Sequence, residues 1–218
     1  MMEELNIEKI REIFLKYTRK AFQMLPSMRN LSILDIGCGS GIPTMELAKL
    51  SKGEIIGIDI NQPALEKFKR KIESEGLSDL IKIFNRSIYN TKFPEERFNL
   101  IWDEGLLHIL NIEKALKECN RIVKTNGFLV AGETQKWFKE NLDVFPKYGF
   151  ELFNHFLLPE ESWWREYYLP LEKNIKKLRS QLKNSEELEK LRSYEEEINM
   201  VKKNPKEFDC AFYIFQKK

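Results

Sequence analysis

The chain has 218 residues, of which 42% are hydrophobic and 32% are charged. This balance is typical of globular proteins, and the length suits one α/β domain with an additional element. Its 36 basic and 34 acidic residues give a formal net charge of +2, which excludes a strong overall attraction to nucleic acid or to an anionic membrane. No apolar run approaches the ~20 residues of a membrane-spanning helix, and the charged N-terminal segment does not resemble a secretion signal, so we expect a cytoplasmic protein.

The first predicted element is an amphipathic helix over residues 5–25. Leu5, Ile10, Phe14 and Tyr17 fall near one face, which is the spacing of an α-helix with one apolar side. Pro26 follows and ends the helix.

A strand, a glycine-rich loop and a helix come next. The apolar run Leu31–Ile36 contains Asp35 and leads into a loop with glycine at positions 37, 39 and 41, after which the segment Pro43–Leu50 is amphipathic. Glycine permits positive φ angles and lets a ligand approach where a Cβ would collide. This order of elements therefore predicts a nucleotide-binding site.

The spacing of the glycines indicates which nucleotide is bound. A dinucleotide-binding loop, G-x-G-x-x-G, needs its third glycine at position 42, where this chain has Ile42. The tighter G-x-G-x-G pattern, with an acid near its start, resembles motif I of the class I S-adenosylmethionine-dependent methyltransferases. The resemblance implies a cofactor-binding role for Asp35, Gly37, Cys38, Gly39 and Gly41.

An acid closes the second predicted strand, Glu54–Ile58. Asp59 lies eighteen residues beyond Gly41, and one ionised carboxylate can accept hydrogen bonds from two adjacent hydroxyls. In the resembled family an acid here binds both ribose hydroxyls, which implies cofactor contacts for Asp59 and its neighbour Ile60. NAD-binding folds also place an acid here, so Asp59 indicates a ribose without identifying the cofactor.

The third strand, Ile81–Phe84, is followed by Ser87 and Ile88. Family members usually carry an acid near this position, where it binds the adenine amino group. The resemblance implies that Ser87 accepts this hydrogen bond through its hydroxyl and that backbone groups around Ile88 supply the rest.

The fourth strand, Phe98–Trp102, leads into the sequence DEGLLH at positions 103–108, which resembles the family's active-site loop. The resemblance implies that Asp103 and Glu104 belong to the cofactor site, with Glu104 or its backbone meeting the amino end of methionine. Only an acceptor that carries a proton needs a general base. Glu104 and His108 are the candidates, because both follow the strand where substrate enters.

Three further strands, Gly127–Gly132, Phe150–Leu158 and Phe208–Phe215, complete an alternation of strands and helices that predicts a doubly wound sheet. The resemblance covers about residues 31–158 and 207–217. It implies a Rossmann-like α/β fold with seven strands in the order 3-2-1-4-5-7-6 and an antiparallel last strand.

The predicted domain organisation has three parts. Residues 1–30 supply a helix that lies over the cleft, as is common in the resembled family. Residues 31–158 and 207–218 form the methyltransferase core, and residues 159–206 form a helical insertion between strands six and seven.

The insertion is predicted to be a helical hairpin. Apolar residues form one stripe from Trp164 to Leu182 and a second from Leu188 to Val201, with a break at Asn184. Trp163, Tyr167 and Trp137 are the candidates for the wall of an acceptor pocket, the first two because they lie off the first stripe. The hairpin acts either as a lid or as a homodimer interface, and both alternatives stay open.

Three segments resemble a subgroup of uncharacterised bacterial and archaeal methyltransferases of small molecules: Ile101–Gly105, Gly132–Phe138 and Leu157–Leu171. The resemblance implies a methyltransferase that uses S-adenosylmethionine and acts on a small molecule by in-line transfer. Two alternatives remain. One is an RNA or protein methyltransferase that docks its substrate through the insertion, and the other is a non-catalytic S-adenosylmethionine-binding protein.

The sequence indicates no metal site. The three cysteines are scattered without a C-x-x-C motif and there are two histidines, so a zinc set is missing. Asp103 and Glu133 could supply two carboxylates to a magnesium ion, but a third ligand is absent. We therefore expect reduced thiols and no metal.

Overall fold

The fold is that of a computed structural model, whose description covers residues 5–28, 30–180 and 185–218 and excludes the side chains of residues 185–187 and 190. Seven strands form one sheet in the order β3-β2-β1-β4-β5-β7-β6. All neighbours pair in parallel except β7, which is antiparallel to both β5 and β6. The predicted strand order and the antiparallel last strand are thus confirmed. The strands are β1 Ser32–Ile36, β2 Glu54–Asp59, β3 Ile81–Asn85, β4 Phe98–Glu104, β5 Val123–Thr134, β6 Phe150–Leu157 and β7 Cys210–Lys217.

Eight α-helices surround the sheet within the described residues. They are α1 Ile7–Arg11, α2 Leu15–Gln23, α3 Ile42–Ser51, α4 Gln62–Ser74, α5 Ile112–Ile122, α6 Gln135–Asn141, α7 Leu169–Arg179 and α8 Ser185–Lys203. Side chains cap three of them, since Asn61, Asn111 and Thr134 accept from the backbone N–H groups of Ala64, Lys114 and Trp137. Within the described ranges, no helix combines the length and the apolarity that crossing a bilayer requires.

The sheet is buried on both faces, which is why its central strands are almost continuously apolar. Consecutive residues of β1 alternate between two cores, because side chains along a strand point to opposite faces. Ile33 belongs to the core beneath α2, α3 and α4, and Leu34 belongs to the core beneath α5. This double cover leaves the carboxyl ends of β1, β2, β4 and β5 at one edge, where ligands bind in open α/β sheets.

The N-terminal segment and the segment between β6 and β7 share a third core. The predicted helix over residues 5–25 is divided into α1, a 3₁₀ turn at Glu12–Phe14 and α2. Leu5 and Ile10 pack with apolar residues of α7 and α8. The predicted stripe residue Leu182 and the predicted break at Asn184 lie outside the described residues.

A π-helical turn, Trp164–Tyr168, precedes α7. Its hydrogen bonds run from residue i+5 to residue i, so it is wider than an α-helical turn. Pro170 follows near the start of α7 and has no N–H to donate to the preceding turn. The π turn changes which aromatic side chains share a face, with consequences for the candidate pocket.

Candidate active site

The loop after β1 has glycine at each position where the backbone is left-handed. Gly37, Gly39 and Gly41 have φ angles of 71°, 52° and 82°. A Cβ on Gly41 would come within 2.0 Å of the Phe68 ring, whereas a Cβ on Gly39 would meet only one backbone oxygen of its own loop at 4.0 Å. Gly41 therefore permits close packing against α4, and Gly39 leaves the loop open to a ligand.

Asp59 lies beside this loop and holds its backbone. Its Oδ2 accepts a hydrogen bond from the Gly39 N–H at 2.8 Å, and its Oδ1 accepts one from the Asn61 N–H at 2.7 Å. Each carboxylate oxygen has a further lone pair, so both can still accept from a ribose hydroxyl. The next residue, Ile60, is 74% exposed and presents an apolar side chain at the same edge.

Asp35 and Cys38 are buried next to the loop. The Thr44 Oγ1–H donates to Asp35 Oδ2 at 2.5 Å, which joins β1 to the first turn of α3. Burial raises the pKa of Asp35 to about 8, and the nearby carboxylates of Glu104 and Asp59 add to the effect. Burial also raises the pKa of the Cys38 thiol, so Cys38 is a neutral filler of the core under the loop.

The predicted adenine-binding residues lie after β3. Ser87 Oγ accepts a hydrogen bond from the Tyr89 N–H at 3.2 Å and so caps a short 3₁₀ turn. Ile88 is 3% exposed, with its side chain in the core, which leaves its backbone as the part that can face a ligand.

The two acids at the end of β4 point to opposite faces of the sheet. Asp103 is buried, and its Oδ1 accepts from the Leu106 N–H at 3.0 Å. Its Oδ2 has no hydrogen-bond partner among the described residues. Burial raises the pKa of Asp103, and the charge of Glu133 raises it further.

Glu104 receives two hydrogen bonds on one oxygen. Trp102 Nε1–H, two residues earlier on β4, and Thr18 Oγ1–H, from α2, both donate to Oε1 at 2.8 Å. Oε2 accepts no hydrogen bond from any residue that the structure describes. Burial raises the pKa of Glu104, and these hydrogen bonds and the Arg11 guanidinium oppose that shift.

His108 forms a pair with Glu133, near the end of the neighbouring strand β5. The His108 backbone N–H donates to Glu133 Oε1 at 3.0 Å, and ring Nδ1 lies 3.0 Å from Oε2. Because a carboxylate only accepts hydrogen bonds, this contact places the proton on Nδ1 and leaves Nε2 of the neutral ring with a free lone pair. The hydrogen bond and charge of Glu133 raise the pKa of His108.

Glu104 and His108 line the same cavity of about 560 Å³. Its walls come from α2, the start of α3, the loop after β4, the ends of β5 and β7, and the segment after β6. The lining is rich in aromatic and apolar side chains, as is usual for small-molecule sites. The aromatic members are Phe14, Tyr17, Trp137, Trp163, Tyr168, Phe208 and Phe212.

The aromatic residues of the predicted pocket wall lie in different places. Trp137 and Trp163 line the cavity, and the Trp163 ring stacks on Phe14 at 4.4 Å between centroids. Tyr167 does not line it and instead packs against Trp163 and Tyr168. The spacing of five residues in the π turn brings Trp163 and Tyr168 to the cavity together, whereas an α-helical stripe would have separated them.

The sequence does not predict two residues of the site. It suggests Glu133 only as a possible metal ligand, although the position of Glu133 at the end of the fifth strand is also compatible with a partner for His108. Thr18 carries no motif and lies 86 residues from Glu104, so no local signal identifies it. Among the described residues, no group of three or more His, Cys, Asp or Glu is arranged to hold a metal ion.

Comparisons with known proteins find similarity to methyltransferases. A family model for a methyltransferase domain matches residues 34–131. Sterol 24-C-methyltransferase erg6 of Aspergillus fumigatus is 31% identical over 98 residues, which are 44% of this chain and 26% of that protein. Demethylmenaquinone methyltransferase of Bacteroides fragilis is 28% identical over 146 residues, which are 66% of this chain and 58% of that protein. The chain thus matches about a quarter of the sterol enzyme's length and over half of the quinone enzyme's.

Solved structures with a similar fold cover most of the chain. The [4+2]-cyclase SpnF superimposes with a TM-score of 0.79 at 17% identity, over 93% of this chain and 80% of that one. At this identity the likeness shows the fold alone. Residues 34–131 thus match the model of a methyltransferase domain, and the chain has the fold of the class I methyltransferases, the class that uses S-adenosylmethionine as its cofactor.

Proposed function

We propose that this chain transfers a methyl group from S-adenosylmethionine to a small molecule whose nucleophile is a hydroxyl or an amine. The observation that carries the proposal is the cavity beside the glycine loop, because it holds a base with a free nitrogen, His108 Nε2, among apolar walls. The named relatives act on small apolar molecules, a sterol and a demethylmenaquinone, which supports the same acceptor size.

The residues present fit the cofactor. The open space above Gly39 admits a ligand against the backbone, and the Asp59 carboxylate beside it suits two ribose hydroxyls. Ile60, Ser87 and the Ile88 backbone would border the adenine. When bound, the cofactor supplies a methyl group that is already activated by a sulfonium.

The protein's own groups then position the acceptor and remove its proton. His108 Nε2 would take the proton from the acceptor's hydroxyl or amine as the acceptor's lone pair forms the bond to the methyl carbon and the carbon–sulfur bond of the sulfonium breaks. Glu133 holds the ring in the required tautomer and stabilises the imidazolium. Phe14 and Trp163 close the cavity against water, which favours transfer to the acceptor over hydrolysis.

The insertion has a proposed role at the acceptor side. Trp163 lies at the cavity, and its segment contacts α2 through Glu166, which accepts from Lys16 Nζ at 2.5 Å and from the Tyr17 hydroxyl at 3.2 Å. These contacts support a covering role for residues 159–170. A homodimer through the apolar faces of the hairpin is the competing proposal.

The test measures which class of molecule receives the tritiated methyl group of S-adenosyl-[methyl-³H]methionine. The full chain is incubated with a deproteinised metabolite extract containing phenols and amines, and in parallel with total RNA and with a protein fraction. We expect label in compounds below about 1,000 Da, within the size that such cavities enclose. Label in RNA or protein alone would favour the docking alternative. Tight binding of S-adenosylhomocysteine without transfer in any fraction would favour a non-catalytic binding protein.

A further inference from the structure

Helix α2 joins the segment after β6 to the acid at the end of β4. On one side, the Phe14 ring just before α2 stacks on Trp163. On the other side, Thr18 contacts Glu104 directly. The helix therefore touches both the aromatic wall of the cavity and the carboxylate of Glu104, which lines the same cavity.

Thr18 carries a buried hydroxyl, and the packing of the core does not by itself require a polar group at this position. Its side chain is 0% exposed, and a valine of nearly the same shape would fill this space without a polar atom. A buried hydroxyl without a partner costs roughly 1–3 kcal/mol. Threonine is favourable here only because its Oγ1–H donates to Glu104 Oε1.

This second donor changes how firmly Glu104 is held. Trp102 alone would fix the position of Oε1 and leave the carboxylate free to rotate about that contact. A second donor, from a different element, fixes the plane of the carboxylate as well. Oε2, which accepts no hydrogen bond among the described residues, is then kept in one direction.

The surroundings indicate what Oε2 receives. Glu104 lines the same cavity as Ile42 and Pro43, which lie at the start of the helix that follows the glycine loop. Its charge acts on Asp35 under that loop. A carboxylate oxygen at this position suits a cationic group of a ligand that lies on the loop.

We propose that Thr18 is a positioning residue, which holds Glu104 so that Oε2 binds the ammonium group at the methionyl end of the cofactor. This inference rests on the proposed function, since it requires that the chain binds S-adenosylmethionine. It assigns to the N-terminal helix a part in cofactor binding, in addition to covering the cleft.

Two ligands separate positioning from a structural effect. S-adenosylhomocysteine carries the ammonium group, whereas 5′-methylthioadenosine has the same adenosine and a thioether but lacks the amino-acid end. In calorimetry, Thr18→Val should weaken binding of S-adenosylhomocysteine about tenfold, as expected for a lost hydrogen bond to a charged group. Binding of 5′-methylthioadenosine should stay at the wild-type level, and Thr18→Ser should restore both.

Two further variants serve as checks. Lys16→Met removes the ion pair between α2 and Glu166 without touching Glu104, and it should leave both affinities unchanged. Glu104→Gln should reproduce the selective loss, and adding Thr18→Val to it should cause little more, because residues that act through one contact are not additive.

Several outcomes would overturn the inference. Equal weakening of both ligands in Thr18→Val, or an unchanged affinity for S-adenosylhomocysteine, would reduce Thr18 to a packing residue. If Thr18→Val does not fold, Thr18→Ser and Glu104→Gln decide, since a Glu104→Gln variant with wild-type affinity removes the basis of the proposal. A wild-type protein that binds neither ligand would refute the proposed function itself.

Discussion

The cofactor half and the acceptor half of the candidate site are assembled differently. The glycine loop and Asp59 lie within 25 consecutive residues and use mainly backbone groups, as the Gly39 N–H bond to Asp59 shows. The acceptor half joins residues that are far apart in sequence, since Tyr17 and Glu166, which are in contact, are 149 positions apart. A local motif can therefore specify the cofactor half, whereas the acceptor half depends on how distant elements pack.

The largest expected effect tests the acceptor half. His108→Gln removes the proposed base and should lower the rate of methyl transfer by about 10²–10⁴-fold, the usual contribution of a general base. Affinity for S-adenosylhomocysteine should be unchanged, because His108 lies on the acceptor side. Single-turnover assays with the labelled cofactor measure the first quantity and calorimetry the second.

The chain offers a matched control in its second histidine. His155 is exposed on β6 and stacks on Tyr213, outside the cavity. His155→Gln makes the same chemical change and should retain the wild-type rate. Comparable losses in both variants would mean that His108 acts through stability and not through proton transfer.

A second prediction concerns the pH dependence of the reaction. A general base must be neutral, so the rate should rise with pH through the pKa of His108, which Glu133 raises above its usual value. Glu133→Gln removes the negative charge but keeps an oxygen for the His108 backbone N–H. The pKa of His108 should then fall, and the acidic limb of the pH–rate profile should move to lower pH.

The measurement is the pH–rate profile of wild type and Glu133→Gln under single-turnover conditions. A shift of the acidic limb to lower pH is specific to a change in the pKa of His108. If Glu133 only supported the position of His108, its loss would lower the rate at every pH and leave the acidic limb where it is. A limb that moves to higher pH would contradict the pairing of His108 with Glu133.

A third prediction tests the cofactor half. Asp59→Ala removes the proposed acceptor for two ribose hydroxyls and should weaken binding of S-adenosylmethionine at least about tenfold, roughly 1.4 kcal/mol for a charge-assisted contact. Asp79→Ala makes the same change of charge at an exposed residue outside the site and should bind normally. Tight binding of NADH by wild type, with no response to S-adenosylmethionine, would defeat the assignment of the cofactor.

The extent of sequence-based prediction follows the same division. The strand order was predictable because local signals, above all the glycine spacing, carry the family resemblance that implies it, and the structure confirms that order. The Thr18–Glu104 contact was not, because its two residues meet only after α2 has packed on the sheet. The sequence also could not predict which aromatic residues after β6 face the cavity. A stripe of apolar residues is recognised by assuming 3.6 residues per turn, and the chain forms a wider π turn there.

The smallest expected effect tests that π turn through two adjacent tyrosines. The Tyr168 hydroxyl is buried and donates to Glu197 Oε1 at 2.7 Å, whereas the Tyr167 hydroxyl makes no hydrogen bond among the described residues. Tyr168→Phe removes the donor to Glu197, an exposed carboxylate that water can solvate instead, and should lower the free energy of unfolding by about 1 kcal/mol. Tyr167→Phe should change it by less than about 0.5 kcal/mol. Urea denaturation at a constant m-value measures both. The π turn is what brings Tyr168, and not Tyr167, to the same wall of the cavity as Trp163. Equal losses of unfolding free energy in the two variants would therefore contradict this placement of the two tyrosines.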